Sequence, residues 1–473
     1  MSKKRITKLA KSVLPRGTIH SFSKDEIDDT RVSLSAWYES NKRYMPWRNY
    51  LKSNPDATPN QHAYAVWVSE IMLQQTQVTT VIPYYIKWMN TWPSVETLSL
   101  AGDENVREIW SGLGYYNRAK NLLAGSKIVV DKYNGEIPKS SNELQLIPGI
   151  GPYTAAAISS IVFGETVGVV DGNVLRVLTR LRLIGAEVTS SRIRGVIQEL
   201  VNVLVDSDNP GDFNQALMEL GALMCTPTAP ACSTCPLQNV CLAYSVKRDR
   251  ETQGKLCEDS VRNRVVRNIQ FPCTKDCNLC LEKWDDDTGV MNFPRKGKKA
   301  AMKDEYFVVC VCEIQNKYCL VKRSSDGLLA LFWEFPSLSV NHTDSQTDNL
   351  EKEVLNEFLN SSVTFKDCIP EYKGNITHVF SHLSHTYSVY HTKANQVDAR
   401  NAFCLENTFP DREYKWVSLG EFNTSAVSTG MKKVLKLITN KEKNRGKKRE
   451  LESAVGIESK RQATLKHFLT NEI

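Results

Sequence analysis

Cys225-x6-Cys232-x2-Cys235-x5-Cys241 is a loop with few ways to fold. Four thiolates so close in sequence converge on one tetrahedral centre, which closes the loop and pins the chain that precedes it. Zinc and a 4Fe–4S cluster both accept four thiolates, and spacing alone does not choose between them. The chain carries 13 cysteines, an odd number. With no secretory signal segment to be read, that count fits a reducing compartment and argues for metal rather than disulfides.

Ahead of the loop, from about Thr30 to Tyr244, apolar stretches of helical period alternate with short Gly/Pro breaks, which predicts an all-α domain over 25–245. Residues 1–24 form a basic arm whose first acidic neighbour is Asp25. Ile6, Leu9, Ala10, Val13 and Leu14 fall at helical spacing there. A mitochondrial presequence, a nuclear signal at Lys3-Lys4-Arg5 and a plain disordered arm all fit. Residues 246–304 are charged, cysteine-bearing and aperiodic, as a connector would be. From Tyr306 the pattern changes to strands: 306–312 and 317–322 around a short turn, then 375–391 and 414–417, with helical stretches near 348–359 and 426–438. That predicts an α+β domain over 305–438, followed by a basic, disordered tail over 439–473. The net charge of +7 suits a polyanionic partner and equally an ordinary solvated surface. No apolar run approaches the ~18 residues of a membrane span, so no membrane partner is expected.

Three further segments carry chemistry. In Trp67-Val68-Ser69-Glu70-Ile71-Met72-Leu73-Gln74, the carboxylate shares a helical face with Val66, Trp67, Leu73 and Gln74. Burial in such company favours the protonated acid, and an acid that holds its proton near neutrality is a candidate general acid. The plain alternative is a glutamate at a helix seam neutralised by an arginine. Leu146-Ile147-Pro148-Gly149-Ile150-Gly151 precedes a helix starting near Tyr153. Its glycines allow a tight turn between helices and leave backbone N–H groups bare for a phosphate (146–152), or make a simple corner. Asp171, in Val169-Val170-Asp171-Gly172-Asn173, stands ahead of a helix through Leu175, Leu178 and Leu181. By itself it reads as an N-cap; beside Glu70 it becomes the second of two carboxylates able to flank a sugar.

These pieces, together with Met45-Pro46-Trp47-Arg48 and Gly112-Leu113-Gly114-Tyr115-Tyr116, resemble in order the endonuclease III-like helix-hairpin-helix DNA glycosylases. Within them they resemble the adenine-specific MutY type in its eukaryotic form. The resemblance covers essentially the whole chain except the tails and parts of the connector. It implies a 4Fe–4S cluster on Cys225, Cys232, Cys235 and Cys241, Glu70 as general acid and Asp171 as the stabilising carboxylate. Tyr153 and Asn173 would position these two, Trp47 and Arg48 would shape the adenine pocket, and Gln75 and Thr76 would follow the partner strand. Leu113 and Tyr115 would wedge into the duplex, and Gly149 and Gly151 would seat a phosphate. Relatives that also cleave the backbone carry a lysine where this chain has Tyr153, so a monofunctional glycosylase is expected, with water as nucleophile. The expected substrate is double-stranded DNA holding adenine opposite 8-oxoguanine or guanine, and the expected state is a monomer. An endonuclease III-like lyase for oxidised pyrimidines, or a catalytically inactive lesion-binding adaptor, are the rival readings.

The α+β domain resembles the Nudix-like domain of the same family through Gly327 to Pro336. Asn356 stands where a nucleotide hydrolase needs a metal-binding carboxylate, so no nucleotide hydrolysis is expected. The resemblance implies recognition of 8-oxoguanine by Phe380-Ser381-His382. It also implies zinc on His20, Cys273, Cys277 and Cys280, although the first cysteine spacing is shorter than in the mammalian relatives and Cys257 competes for the place. Gln462-Ala463-Thr464-Leu465-Lys466-His467-Phe468-Leu469 matches the sliding-clamp box, with Gln462, Leu465, Phe468 and Leu469 as its plug. Nuclear and mitochondrial localisation are both expected.

Overall fold

The computed structural model describes residues 18–253, 277–281, 283–295, 297, 302–324, 327–340, 353, 355–356, 368–380, 383–394 and 412–439. Contacts divide the chain into two compact units. One joins Met1–Val106 to Asn117–Lys299; the other joins Arg107–Tyr116 to Ala300–Ile473. The basic arm through residue 17 and the tail from 440 lie outside the described residues.

The first unit is helical. Its central helix, Pro59–Leu73, is started by Thr58, whose side chain accepts from Gln61 N while the Gln61 side chain reaches back to the cap, with proline at the first turn. Every residue from Ala63 to Met72 is buried, so this is a core helix on all faces. Its C-terminal carbonyls are met by a buried side chain the sequence did not advertise. Arg118 donates to Ile71 O (3.0 Å), Met72 O (2.7 Å), Gln74 O (2.6 Å) and Thr76 Oγ1 (3.2 Å). Gln75, between them, takes φ 55°.

The helix Pro152–Phe163 packs against it, Pro210–Leu223 packs on Pro152–Phe163, and Gly172–Leu181 packs on Pro210–Leu223. The turn before Pro152 needs Gly149: φ is 83°, and a Cβ there would sit 2.6 Å from Asn121 Cβ. The expected connector is not uniformly irregular. The helix Leu242–Gln253 runs into it, Gly185 N bonds Leu279 O at 2.8 Å, and Val290 and Phe293 share a core with Leu183, Ala243 and Val246. Isolated apolar side chains without periodicity gave no sequence signal, yet each is buried.

The second unit holds a seven-stranded mixed sheet in the order β3-β2-β1-β6-β5, with β4 paired to β1 and β7 to β2. The strands are β1 (Lys303–Ile314), β2 (Lys317–Lys322), β3 (Trp333–Glu334), β4 (Ser337–Val340), β5 (Glu371–Val379), β6 (Leu383–Ala394) and β7 (Tyr414–Val417). β1 and β2 meet at Gln315 and Asn316, both at positive φ (49° and 63°), the twist a two-residue hairpin favours. β1 and β6 run parallel from Lys303/Leu383 to Ile314/Ala394. Both faces of β1 are covered. Val309 and Val311 meet Phe422, Met431 and Val434, while Val308, Cys310 and Cys312 meet Leu355 and Val340. Burial on both sides explains the unbroken apolar run at 307–312. A helix spans 429–439; of the helix expected near 348–359, only 353, 355 and 356 are described, and they are helical.

Candidate active site and metal centres

Glu70 is 5 % exposed. The only hydrogen bond its carboxylate receives from a described side chain comes from Tyr153, whose hydroxyl donates to Oε2 at 2.6 Å. Burial pushes the acid up to about 7; the Tyr153 bond and the Arg48 charge oppose this, and the Asp171 charge adds to it. Among the described residues no arginine bonds Glu70 directly. Arg48 bonds Gln215 Oε1 (3.1 Å), Arg43 O (3.0 Å) and Glu219 Oε2 (3.4 Å).

Asp171 has the N-cap place that the sequence suggested. It is the N-cap of Gly172–Leu181, accepting from Val174 N at 2.7 Å. Its other oxygen accepts from Asn173 Nδ2 at 2.7 Å. Burial raises its pKa, and these bonds hold the rise in check. Asn173 is fixed in turn by Arg176, which donates to Asn173 Oδ1 (2.7 Å), Gly221 O (2.7 Å) and Cys225 O (2.8 Å). The approach requires glycine at 221, where a Cβ would meet Asn173 Cβ at 2.6 Å.

Glu70, Asp171 and Asn173 line one cleft of about 770 Å³, with Trp47, Arg48, Thr76, Gln215, Met218 and Glu219 in its wall. A purine with its sugar fits such a volume. Trp47 is buried edge-on against Tyr85. Sequence reading missed Arg43, Gln215, Met218 and Glu219. Glu219 is buried and accepts from Arg43 N (2.9 Å), Nε (2.7 Å) and Nη2 (2.9 Å). These residues come from distant segments, and no local spacing marks them. Gly151 caps the Pro152–Phe163 helix with no side-chain bond. Leu113 and Tyr115 lie in the segment that groups with the second unit. Leu113 is buried, so of the two expected wedges only Tyr115, 45 % exposed and at φ 48°, is presented at the surface.

Cys225, Cys232, Cys235 and Cys241 line a single pocket with Arg180, Leu181 and Leu220. Burial pushes the thiols of Cys235 and Cys241 up to about 12, and Arg180 donates to Cys225 Sγ at 3.2 Å. Four soft donors converging on one pocket fit an iron–sulfur cluster or zinc. A second group joins His20, Cys277 and Cys280, whose ligand atoms all lie within 4.8 Å of one another. His20 Nε2 sits 3.3 Å from each sulfur, while Nδ1 bonds Arg182 O at 2.7 Å. That second bond leaves Nε2 as the nitrogen able to ligate a metal. Cys257 and Cys273 lie outside the described residues.

In the sheet unit, Phe380 stacks edge-on with His378 and His385, and its N–H bonds Leu383 O at 2.7 Å. Ser381, His382 and the clamp box residues Gln462, Leu465, Phe468 and Leu469 lie outside the described residues.

Comparison with known proteins bears on both units. Residues 68–202 match the model of the HhH-GPD superfamily base excision DNA repair proteins, and residues 307–437 match that of the NUDIX domain. An adenine DNA glycosylase of Mus musculus is 42 % identical over 445 residues, covering 92 % of this chain and 82 % of that protein. The adenine DNA glycosylase of Homo sapiens is 41 % identical over 425 residues, covering 87 % and 74 %. Among solved structures, the C-terminal domain of mouse MUTYH in complex with human PCNA is similar at 27 % identity and a TM-score of 0.23. It covers 29 % of this chain and 89 % of that one. Identity at this level over most of both lengths means that the chain belongs to the adenine DNA glycosylase family, as a monofunctional base excision enzyme that hydrolyses the N-glycosidic bond of adenine.

Proposed function

We propose that the enzyme removes adenine paired with 8-oxoguanine or with guanine, with Glu70 as general acid and Asp171 as the carboxylate that faces the sugar. The observation that carries this reading is the acid–phenol pair in the cleft: Glu70, raised to about 7, bonded to Tyr153 and sharing its cavity with Asp171. Adenine leaves poorly as an anion. A proton from Glu70 to N7 makes it a neutral leaving group as the bond to C1′ breaks and its electron pair passes to the base. Asp171 then stabilises the positive charge that develops on the deoxyribose, and water completes the hydrolysis. Tyr153 aims the acid and Asn173 aims the stabilising carboxylate. Adenine reaches the cleft by leaving the stack, which costs a few kcal/mol and least at a mispair.

Cys225, Cys232, Cys235 and Cys241 would hold the 4Fe–4S cluster, which when bound would cross-link the loop and fix Cys225, to whose carbonyl Arg176 donates. His20, Cys277 and Cys280, with Cys273 as fourth ligand, would hold zinc and tie the N-terminal segment to the connector. Phe380, Ser381 and His382 would read 8-oxoguanine. Tyr115 would fill the gap left by the adenine, Gln75 and Thr76 would follow the partner strand, and the hairpin of Gly149 and Gly151 would seat a phosphate. The box at Gln462, Leu465, Phe468 and Leu469 would dock on a sliding clamp. The basic ends would direct the enzyme to the nucleus and the mitochondrion.

Single-turnover incubation with a duplex containing adenine opposite 8-oxoguanine, followed by alkali, tests the reading. Adenine release by wild type and its loss in Glu70→Gln are expected; equal release by both overturns the assignment. Iron and zinc analysis of the purified protein tests the two metal centres separately.

A further inference from the structure

The hydroxyl of Tyr153 has a second acceptor besides Glu70. Met218 Sδ lies 3.6 Å from Tyr153 Oη, an ordinary O–H to sulfur distance. Met218 comes from the Pro210–Leu223 helix, one residue before the buried Glu219, and is partly exposed in the wall of the cleft. A phenol has one hydrogen and two acceptor lone pairs. When Glu70 is ionised, that hydrogen points at Oε2. When Glu70 carries its proton, the carboxylic O–H can donate to Tyr153 Oη, and the phenol hydrogen is freed to turn to the thioether. The sulfur thus receives the phenol in the protonated form of the acid, the form the proposed chemistry requires.

We propose that Met218 is a positioning residue for the Glu70–Tyr153 pair and a site of peroxide modification, whose conversion to the sulfoxide slows adenine release. The inference rests on the reading of Glu70 as the acid. The step is an oxygen transfer: the thioether sulfur gains one oxygen from hydrogen peroxide, and the peroxide leaves as water. Sulfur is oxidised, peroxide is reduced, and no proton is left over. The product is polar and chiral where the thioether was apolar.

Two consequences follow from chemistry. A sulfoxide oxygen accepts hydrogen bonds far more strongly than a thioether does. It therefore draws the phenol hydrogen away from Glu70, favours the protonated acid and weakens it as a proton donor. It also places a dipole in the wall against which a purine would lie. Access favours this residue over several others: Met72 and Met431 are buried, and Met45, which also lines the cleft, is buried in its wall, whereas Met218 is partly exposed there. Met291 and Met302 are more exposed, but Met291 belongs to a 3₁₀ turn and Met302 precedes β1, and neither lines the cleft. Bound duplex would cover Met218 and protect it.

The experiment treats the full-length protein with hydrogen peroxide, alone and with duplex bound. It maps methionine oxidation by peptide mass spectrometry and measures single-turnover adenine release across pH, each protein normalised to its own untreated rate. We expect release by wild type to fall by about tenfold as Met218 is oxidised, roughly the worth of one hydrogen bond to a charged group. We expect its fall-off with pH to move to higher pH, and methionine sulfoxide reductase to restore both. Met218→Leu should keep its own starting rate through the same treatment. Absorption of the iron–sulfur chromophore, followed in parallel, separates cluster damage, which reductase does not repair. Oxidised Met218 with an unchanged rate and pH profile overturns the proposal, as does equal peroxide sensitivity in Met218→Leu. Untreated Glu70→Gln is run alongside: should it match untreated wild type, the assignment of Glu70 fails instead.

Discussion

Glu70 in the helical unit and Glu313 in the sheet unit are both buried, Glu70 the more deeply, and their acidities move in opposite directions. Burial pushes both upward. At Glu313, His391 (2.8 Å) and Lys393 (3.3 Å) outweigh burial, and the carboxylate ends below its usual range. At Glu70 the direct partner is a neutral phenol, and the acid ends at about 7. Glu219, in the same cleft as Glu70, behaves like Glu313, because Arg43 and Arg48 hold its charge. Burial of a carboxylate therefore does not mark a proton donor. What separates Glu70 from Glu313 and Glu219 is that no cation bonds it directly, which is the feature behind its proposed role.

Four changes would break or sharpen this contrast. The largest effect is expected from Glu70→Gln, which keeps the shape and loses the proton: single-turnover adenine release should fall by about 10²–10⁴-fold, the usual worth of a positioned acid. Asp171→Asn should follow, at about 10²–10³-fold. Thermal unfolding should change little in that variant, because asparagine caps a helix as well as aspartate does. A loss of stability there comparable to the loss of rate would assign Asp171 a structural task alone. Third, the wild-type rate should fall tenfold per unit above about pH 7, since only protonated Glu70 donates, and fall again in acid as Asp171, whose pKa burial raises, takes up a proton.

The smallest effects are on stability, and their signs should oppose. The raised pKa of Glu70 means that ionising it works against the folded state. The penalty is absent below the ordinary value of 4.5 and complete above about 7. Glu70→Gln should therefore melt higher than wild type at pH 8, with the gap closing by pH 5. The lowered pKa of Glu313 stabilises the fold above 4.5, and that contribution is lost as pH falls through its folded value. Glu313→Gln should melt lower than wild type at neutral pH and draw level in acid. Melting curves at both pH values for both variants decide it; two shifts of the same sign would remove the distinction.

Much of the fold was legible because it is written locally. The Gln315–Asn316 turn, the N-cap at Asp171 and the positive-φ Gly149 are properties of a few neighbouring residues. The apolar run at 307–312 read as strand because it is short, bounded by a turn and rich in valine. The site was half legible. Glu70, Tyr153, Asp171 and Asn173 stand in motifs, and the structure places the first two 2.6 Å apart and the last two 2.7 Å apart. Arg118, Arg176, Met218 and Glu219 were not legible. Each acts through a contact made by the fold rather than by spacing, as when Arg118 reaches back 47 positions to Ile71. The connector misled for the same reason, since Val290 and Phe293 find their core only after the helices assemble.

The N-cap role of Asp171 has a thermal consequence. Its carboxylate is fastened to the first amide hydrogens of a helix that opens with glycine, and helix ends loosen before helix middles. Warming should therefore unfasten the carboxylate proposed to face the sugar while the hydrophobic interior is still solid. The temperature at which the enzyme works fastest would then lie below the one at which it unfolds, and the interval between the two would measure how firmly one side chain is tethered.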